Sequence, residues 1–379
     1  MNIGFDISQA GEKPAGCGVL AKGFALEFLK KNVDAKITFY GTFGPYLCDK
    51  ALSFDIDKSQ KVLKQFKYNF KNIKTTREFW LEHNIESKIG LPDIIHSNNF
   101  WCPTNVKVSK IVYTLYDLSF LEMPEATTNE NINVCLNGLV NAVQYADHFV
   151  AISHYTKKNF LEYFPCIHED KITVIYPGIK HQSKKPNHPF NFLYKKDEFF
   201  LSVGTIEPRK NYIRLIKSYA KYLLMLNNRS KPKPLIIVGG DGWGNVNIKE
   251  FIVKSNLGNY VFFLGYVTEN ELSWLYSNTY CNIYVSLFEG FGFPVLEGMK
   301  HGVPTITSNI TSIPEIVGTS AILINPLNEI DISNALINIH NNENYRNILA
   351  KESVTQSLKF NWSLASDQLM KLYENIIYN

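Results

Sequence analysis

Short apolar runs alternate with segments of helical periodicity through the second half of this 379-residue chain. Strands that are separated by helices cannot pair as hairpins, so they form a parallel sheet with helices packed on both faces. This pattern constrains the fold more than any other feature. The predicted strands are residues 199–203, 235–239, 261–264, 282–287 and 304–307, and the predicted helices are residues 211–226, 247–255, 269–277 and 294–300.

The first half of the chain repeats the alternation less regularly. Residues 50–90 are Lys-rich with scattered aromatic residues, and we predict helix there, while the basic, proline-containing residues 180–196 are typical of a linker. We therefore predict an α/β protein with two doubly wound parallel-sheet domains, residues 1–185 and 196–362. The predicted strands of the first domain are residues 2–8, 36–40, 93–96, 110–115, 148–152 and 172–176, and its predicted helices are 19–31 and 133–146.

Composition excludes several classes of protein. With 45% apolar and 20% charged residues the chain is globular, and a net charge of +4 does not favour nucleic acid as a partner. The six cysteines include no C-x-x-C pair, so we expect reduced thiols and no zinc site. We see no signal peptide and no apolar run that could span a membrane, so we predict a cytoplasmic protein. Residues 50–88 could form a solvated helix face or contact a membrane peripherally.

The most informative motif is Glu289-Gly-Phe-Gly-Phe-Pro-Val-Leu-Glu297, in which two carboxylates flank a glycine-rich turn. It follows the apolar run 283–288 and precedes a predicted helix, with Pro294 in the first helical turn. Free N–H groups and the dipole at a helix N-terminus favour an anion such as phosphate. Carboxylates beside such a site need a neutral ligand, such as sugar hydroxyl groups. A nucleotide-sugar meets both demands.

This E-x7-E pattern, followed by H-G-V-P and S-I-P-E-I-V-G, resembles the retaining glycosyltransferases of family 4, which have the GT-B fold. The block Leu201–Asn211 is similar to the phosphate-binding stretch of that family. A third block, Phe262–Val267 followed by Glu271–Tyr276, matches a block of the family in its place and order along the chain. The resemblance covers residues 199–325. It implies two Rossmann-like domains facing across a cleft, the first on the acceptor side, with residues 363–379 crossing back onto that domain.

Arg209 and Lys210 follow a predicted strand and precede a predicted helix. Fixed cations at that place would neutralise a departing diphosphate, which is the role that the resemblance implies. Many relatives have an arginine directly after the glycine of this block, whereas Thr205 follows Gly204 here. The remaining pair would then carry more of the diphosphate charge.

The resemblance also implies roles for the residues around the glycine-rich turn. Glu297 would bind the nucleoside ribose, and Glu289 would lie beside the donor sugar. Tyr266 and Val267 match the positions that hold the base, although their side chains could equally belong to the core. The amides that would contact the sugar and phosphate are those of Gly290, Phe291, Gly292 and Phe293.

The first domain carries weaker candidates. Gly16-Cys-Gly18 could be a tight turn, but the resemblance implies that this loop faces the donor diphosphate. An NAD site is disfavoured because the second strand ends without an acidic residue. Tyr116-Asp117 stands where the family has His-Asp, and tyrosine cannot become cationic near neutral pH. Residues 96–99 could line the acceptor side or form a polar turn.

We therefore predict an enzyme that transfers a sugar from a nucleoside-diphosphate donor to the hydroxyl of a glycan or lipid-linked glycan, with retention. The E-P-R-K-N form of the phosphate block is common among relatives that build bacterial surface polysaccharides, often mannosyltransferases. The resemblance therefore implies GDP-mannose as the donor and surface polysaccharide synthesis, such as that of O-antigen. We expect no cofactor and no metal, and we interpret Asp55 and Asp57 as surface acids. The alternatives are a UDP-sugar transferase or epimerase, and a non-catalytic binding protein. The sequence leaves the oligomeric state open.

Overall fold

A computed structural model of the chain describes residues 1–11, 16–31, 35–42, 52, 63–68, 73–179, 185–227, 230–242 and 246–378. These residues form two compact units, one of residues 1–178 with 360–379 and the other of residues 179–359. The domain boundaries predicted from the sequence are residues 185, 196 and 362. Asp55, Asp57 and much of the Lys-rich stretch 50–88 lie outside the described residues.

The first unit is built on a parallel sheet. Within the described residues, seven strands pair in the order β3-β2-β1-β4-β5-β6-β7, so the order reverses between β1 and β4. Its strands are β1 (Asn2–Asp6), β2 (Lys36–Thr42), β3 (Leu63–Tyr68), β4 (Ile94–Ser97), β5 (Lys110–Leu115), β6 (His148–Ala151) and β7 (Ile172–Val174). Its helices are Gly16–Lys30, Ile73–Trp80, Ile85–Lys88, Ser119–Glu122, Asn129–Tyr145, His154–Tyr163 and Trp362–Tyr378, with 3-10 turns at Pro124–Ala126 and Glu169–Lys171.

The helix predicted for residues 50–90 is only partly correct. Ile73–Trp80 and Ile85–Lys88 are helical, but Leu63–Tyr68 is the edge strand β3. Its six residues pair in parallel with β2, from Ile37 opposite Leu63 to Thr42 opposite Tyr68. Available backbone partners along β2 thus decide the conformation of a segment whose own pattern is ambiguous.

The C-terminal helix Trp362–Tyr378 packs within the first unit against the helix Gly16–Lys30. The ring of Trp362 lies edge-on to Phe24, with centroids 5.4 Å apart. A Cβ on Gly23 would come within 2.3 Å of the same indole, so only glycine allows this approach. Farther along the helix, the buried Tyr373 hydroxyl is hydrogen-bonded to Nδ1 of the buried His96 at the end of β4.

The second unit repeats the architecture. In the portion of this unit that the structure describes, six parallel strands pair in the order β10-β9-β8-β11-β12-β13. They are β8 (Phe200–Val203), β9 (Leu235–Val238), β10 (Val261–Gly265), β11 (Cys281–Tyr284), β12 (Thr305–Ser308) and β13 (Ile322–Ile324). The helices are Tyr212–Met225, Val246–Lys254, Glu269–Asn278, Phe293–Lys300, Ile313–Val317, Glu329–Asn341 and Glu343–Ser357, after a 3-10 turn at Pro208–Lys210.

The predicted fold class, an α/β protein with two doubly wound parallel sheets, is confirmed. Strands β8, β9 and β11 are buried at every residue, as expected for strands with helices on both faces. Because the order reverses between β8 and β11, the loops after these two strands leave the same edge of the sheet side by side. No helix among the described residues is long and apolar enough to cross a membrane.

Candidate functional site

The loops that follow β8 and β11 are joined by hydrogen bonds to backbone carbonyl groups. The carbonyl of Arg209 accepts from the Leu287 N–H at 2.8 Å and from the Ser286 hydroxyl at 3.0 Å. The Asn211 amide donates to the carbonyl of Val285 at 3.0 Å and to that of Pro326 at 2.8 Å. These bonds fix the turn of residues 208–211 against the start of the glycine-rich loop.

The turn presents two cations to one carboxylate. Nζ of Lys210 lies 2.7 Å from Oε1 of Glu289, and Nη1 of Arg209 lies 3.1 Å from Oε2. Arg209 also donates to Glu207 Oε1 at 2.8 Å and to the carbonyl of Phe288 at 2.9 Å. The guanidinium is therefore held from three directions and points into the loop.

Glu289 is almost completely buried, with 6% of its surface exposed. Its Oε1 accepts additional hydrogen bonds from the hydroxyl groups of Tyr284 at 2.7 Å and Ser286 at 2.6 Å. Burial alone would raise the pKa of Glu289, but Arg209, Lys210 and these donors lower it to about 2. Burial and the neighbouring Arg209 lower the pKa of Lys210 from its ordinary value. Glu289 is thus a carboxylate, and not a proton donor, at neutral pH.

The glycine-rich loop enters the helix Phe293–Lys300 through Gly292, whose φ is 104°. A side chain there would meet Ile313 Cδ1 at 2.5 Å, so glycine is required for both conformation and space. The Ser312 hydroxyl lies 2.9 Å from the Glu289 carbonyl and 3.2 Å from that of Phe291, which anchors the loop. The N–H groups of Gly292 and Phe293 have no hydrogen-bond partner among the described residues.

The remaining candidates of the second unit surround this loop. Glu297 lies one helical turn after Phe293, and its Oε2 accepts from the Tyr276 hydroxyl at 3.2 Å. The carbonyl of Gly204 accepts from the Tyr212 hydroxyl at 3.1 Å. These positions share the carboxyl edge of the sheet with Arg209, Lys210 and Glu289.

Tyr266 and Val267 follow β10, two strands away from β8 in the sheet. Tyr266 is 60% exposed. Val267 packs against the buried cluster around Phe199 and Leu275, which favours a core role for its side chain.

The candidates of the first unit are connected through Tyr116. The Tyr116 hydroxyl lies 2.9 Å from the carbonyl of Asn98 and 3.4 Å from that of Cys17, so it links the loop after β4 to the helix start at Gly16–Gly18. Burial raises the pKa of Tyr116 well above 10, and the side chain is neutral. Oδ1 of Asp117 accepts from the Ser119 N–H at 3.0 Å and its hydroxyl at 2.6 Å, which orders the following turn.

Three site residues escaped the sequence analysis: Glu207, Tyr284 and Ser286. Tyr284 and Ser286 are two residues apart in an extended run, so they lie on the same side of it. Two polar side chains at this spacing in an otherwise apolar run are the sequence feature that could have identified them as site residues. Among the described residues, no group of three or more His, Cys, Asp or Glu lies close enough to hold a metal ion.

Comparison with known families agrees with this geometry. Residues 57–183 match the model of Glycosyltransferase Family 4, and residues 183–355 match that of Glycosyl transferases group 1. Together the two matches cover residues 57–355, so the chain belongs to the glycosyltransferases that these two models describe. The fold of this glycosyltransferase is GT-B.

Individual proteins are similar over most of this glycosyltransferase. O-antigen chain mannosyltransferase B of Escherichia coli is 27% identical over 287 residues, 74% of each chain. O-antigen chain mannosyltransferase RfbU of Salmonella typhimurium is 28% identical over 263 residues, 69% of each chain. The crystal structure of Anabaena Alr3699/HepE in complex with UDP and glucose has a TM-score of 0.69 at 18% identity, covering 99% of this chain and 100% of that one.

Proposed function

We propose that this glycosyltransferase transfers mannose from GDP-mannose to the hydroxyl of a glycan or lipid-linked glycan during surface polysaccharide synthesis, with retention at the anomeric carbon. Two of the similar proteins are O-antigen mannosyltransferases, which supports this choice of sugar and pathway class. The observation that carries the chemistry is the pairing of Arg209 and Lys210 with Glu289 beside a helix N-terminus. Peripheral contact with the inner face of the membrane would bring the enzyme to lipid-linked acceptors.

Cleavage of a sugar–phosphate bond leaves negative charge on the departing nucleoside diphosphate. Arg209 and Lys210 are fixed cations that stabilise this charge without rearranging, which is the most effective form of electrostatic catalysis. The N–H groups of Gly292 and Phe293, at the N-terminus of an eight-residue helix, add hydrogen-bond donors for the same phosphates. One turn farther along this helix, Glu297 would bind the ribose hydroxyl groups.

Glu289 positions the two cations, because its carboxylate is ionised at neutral pH and contacts both of them. It is unsuited to protonate a leaving group. In the proposed step, the acceptor oxygen bonds to the anomeric carbon as the bond to the phosphate oxygen breaks on the same face. The acceptor proton passes to that phosphate oxygen. This course retains the configuration and requires neither an enzyme nucleophile nor a metal ion.

A UDP-sugar donor is the second candidate. HepE, which has the same fold, was solved with UDP and glucose. HepE is 18% identical to this chain, which shows a shared fold and not a shared base. The exposed Tyr266 after β10 is compatible with guanine and with uracil. If the donor is a UDP-sugar, the roles proposed for Arg209, Lys210 and Glu289 stay the same.

A thermal-shift series with GDP, UDP, GDP-mannose and UDP-glucose tests the donor. We expect stabilisation by the guanine nucleotides, whereas stabilisation by the uridine nucleotides alone would replace GDP-mannose with a UDP-sugar. The same donors are then incubated with octyl α-D-mannopyranoside and octyl N-acetyl-β-D-glucosaminide. We expect an α-linked product by NMR; a β-linked product would contradict retention. Nucleotide binding without transfer or donor hydrolysis would indicate a non-catalytic protein.

A further inference from the structure

A cavity lies on the flank of the first unit, outside the residues considered so far. It has a volume of about 550 Å³ and lies between the helix Asn129–Tyr145 and the segment that follows β4. Small-molecule sites in proteins commonly occupy roughly 300–1,000 Å³, so this one is large enough for a small ligand. We call it the flank cavity. The residues that line it include Phe100, Trp101, Glu130, Asn133, Asn137 and Asn141.

One wall of the flank cavity is polar. Glu130, Asn133, Asn137 and Asn141 recur every three or four residues, so they share one face of the helix. The side chains of these four residues make no hydrogen bond to any part of the chain that the structure describes. Each carboxamide can donate and accept, which matches hydroxyl groups that do the same.

The opposite wall is aromatic. Phe100, which is partly exposed, and Trp101, which is 5% exposed, both line the cavity. Helix and wall are in close contact at Gly138, where a Cβ would lie 1.7 Å from the carbonyl oxygen of Phe100. A flat apolar surface facing a row of amides suits a ring that has an apolar face and a polar edge.

The cavity is connected to a candidate of the sequence analysis. The ring of Phe100 lies 5.8 Å from that of Tyr116, centroid to centroid. The Phe100 N–H donates to Oδ1 of Asn99 at 3.0 Å, which orders the backbone at these two residues. A ligand on Phe100 would therefore lie next to the loops at the carboxyl edge of the first sheet.

Charge narrows the class of ligand. Glu130 is the ionisable residue among those that line the cavity, and it is exposed at its edge. A carboxylate without a neighbouring cation in the lining disfavours phosphate and other anions, while amides and an aromatic ring suit a neutral polyol. We propose that the flank cavity binds the saccharide part of the acceptor. This inference rests on the proposed function, which supplies the sugar transfer.

The test compares side-chain amides on one helix. Asn137→Ala, Asn141→Ala and the double variant remove hydrogen-bonding groups from the cavity, while Gln144→Ala removes a matched exposed amide outside its lining. Binding of methyl α-D-mannopyranoside, mannobiose and N-acetylglucosamine is measured by saturation-transfer NMR and calorimetry. The KM for the best octyl glycoside is measured in parallel.

We expect each single variant to raise the Kd and the acceptor KM about three- to ten-fold, the range of one lost hydrogen bond, and the double variant to raise them further. Gln144→Ala should match the wild type. Unchanged constants in the double variant, or equal changes in Gln144→Ala, would overturn the inference, as would preferential binding of a short peptide used as a control ligand.

The wild-type protein separates this inference from the proposed function. Saccharide binding that the Asn variants weaken, without any donor turnover, supports the cavity and contradicts the transferase. Transfer by the wild type, with no effect of the Asn variants on KM or Kd, supports the transferase and contradicts the cavity. Melting temperatures of all variants show whether the substitutions leave the fold intact.

Discussion

Nζ of Lys210 and Oε1 of Glu289 lie 2.7 Å apart and both side chains are nearly buried, although the two residues are 79 positions apart in the chain. This ion pair joins the two loops at the switch point of the second sheet. Because removing one partner leaves the other charge buried and uncompensated, the pair ties the stability of the site to its chemistry.

Loss of Lys210 should reduce transfer strongly. Lys210→Met removes one of two cations from the leaving diphosphate, and we expect kcat/KM for the donor to fall about 10²- to 10³-fold. The control is Lys221→Met, which removes a half-exposed lysine paired with Glu329 on the surface. A Lys210→Met enzyme with wild-type kinetics would remove the basis of the proposed mechanism.

Glu289→Gln should lower stability at neutral pH and flatten its dependence on acid. The pKa of Glu289 is lowered from 4.5 to about 2, so as the pH falls the unfolded chain takes up a proton before the folded one. Wild-type stability attributable to Glu289 is therefore complete above pH 4.5 and lost towards pH 2. We expect the variant to be about 3 kcal/mol less stable at neutral pH.

Urea unfolding of the wild type and of Glu289→Gln, at neutral pH and at a pH near 3.5, checks this expectation. The difference between the two proteins should shrink in acid. A difference that is constant with pH would show that Glu289 contributes through packing alone.

Asp6→Asn should act with the opposite sign. Burial raises the pKa of Asp6 to about 6. Its Oδ2 has no hydrogen-bond partner within the part of the chain that the structure describes, while Oδ1 accepts from the Ser8 N–H at 2.8 Å. The folded protein keeps this proton where the unfolded chain loses it, so stability falls as the pH rises from about 4 through 6. At a pH near 8 we expect the variant to be more stable than the wild type, by on the order of 2–3 kcal/mol.

Melting temperatures across this pH range test the Asp6 prediction. The two proteins should converge near pH 4, and the exposed Asp367→Asn serves as the control, because its ion pair with Lys31 is a surface contact. An Asp6→Asn protein that is less stable at every pH would contradict the assigned cause.

Gly138→Ala should destabilise the first unit. Its new Cβ would lie 1.7 Å from the carbonyl oxygen of Phe100, and a backbone atom cannot give way as a side-chain tip can. We expect a loss of about 1–3 kcal/mol by overpacking. The control is Gly258→Ala, since a Cβ at Gly258 meets nothing within 4 Å. Equal melting temperatures for both variants would refute the close contact between helix and loop.

Removal of divalent metal should leave transfer unchanged. Arg209 and Lys210 already place two cations at the proposed phosphate position, so we expect full activity after dialysis against EDTA. A loss that Mg²⁺ or Mn²⁺ restores would show that a metal shares this role.

The sequence predicted the second unit well. Every strand and helix predicted between residues 199 and 307 is present, and no end is shifted by more than three residues. Alternation of apolar runs and helical periodicity is a local property, and Gly292 and Pro294 set the turn into the helix by their own conformational limits. The strand predicted to reach residue 287 ends at Tyr284, because the following residues bond to the turn at Arg209 instead.

The sequence predicted less of the structure where contacts between distant segments of the chain determine the conformation. Leu63–Tyr68 became a strand through its pairing with β2, and Tyr116 proved to be a buried link to the carbonyls of Asn98 and Cys17. The ladder of amides on Asn129–Tyr145 could be counted in the sequence, but not the aromatic wall opposite it. Such contacts depend on which loops the sheet order brings together.

By itself, the sequence determined the α/β alternation, the two sheets and the residue types at each strand end, because these follow from periodicity and from glycine and proline chemistry. The tertiary structure alone decided that Glu289 receives both Arg209 and Lys210, with Tyr284 and Ser286 completing its shell. The physical reason is that strands far apart in the chain become neighbours only when β8 and β11 pair, and no local pattern encodes that distance.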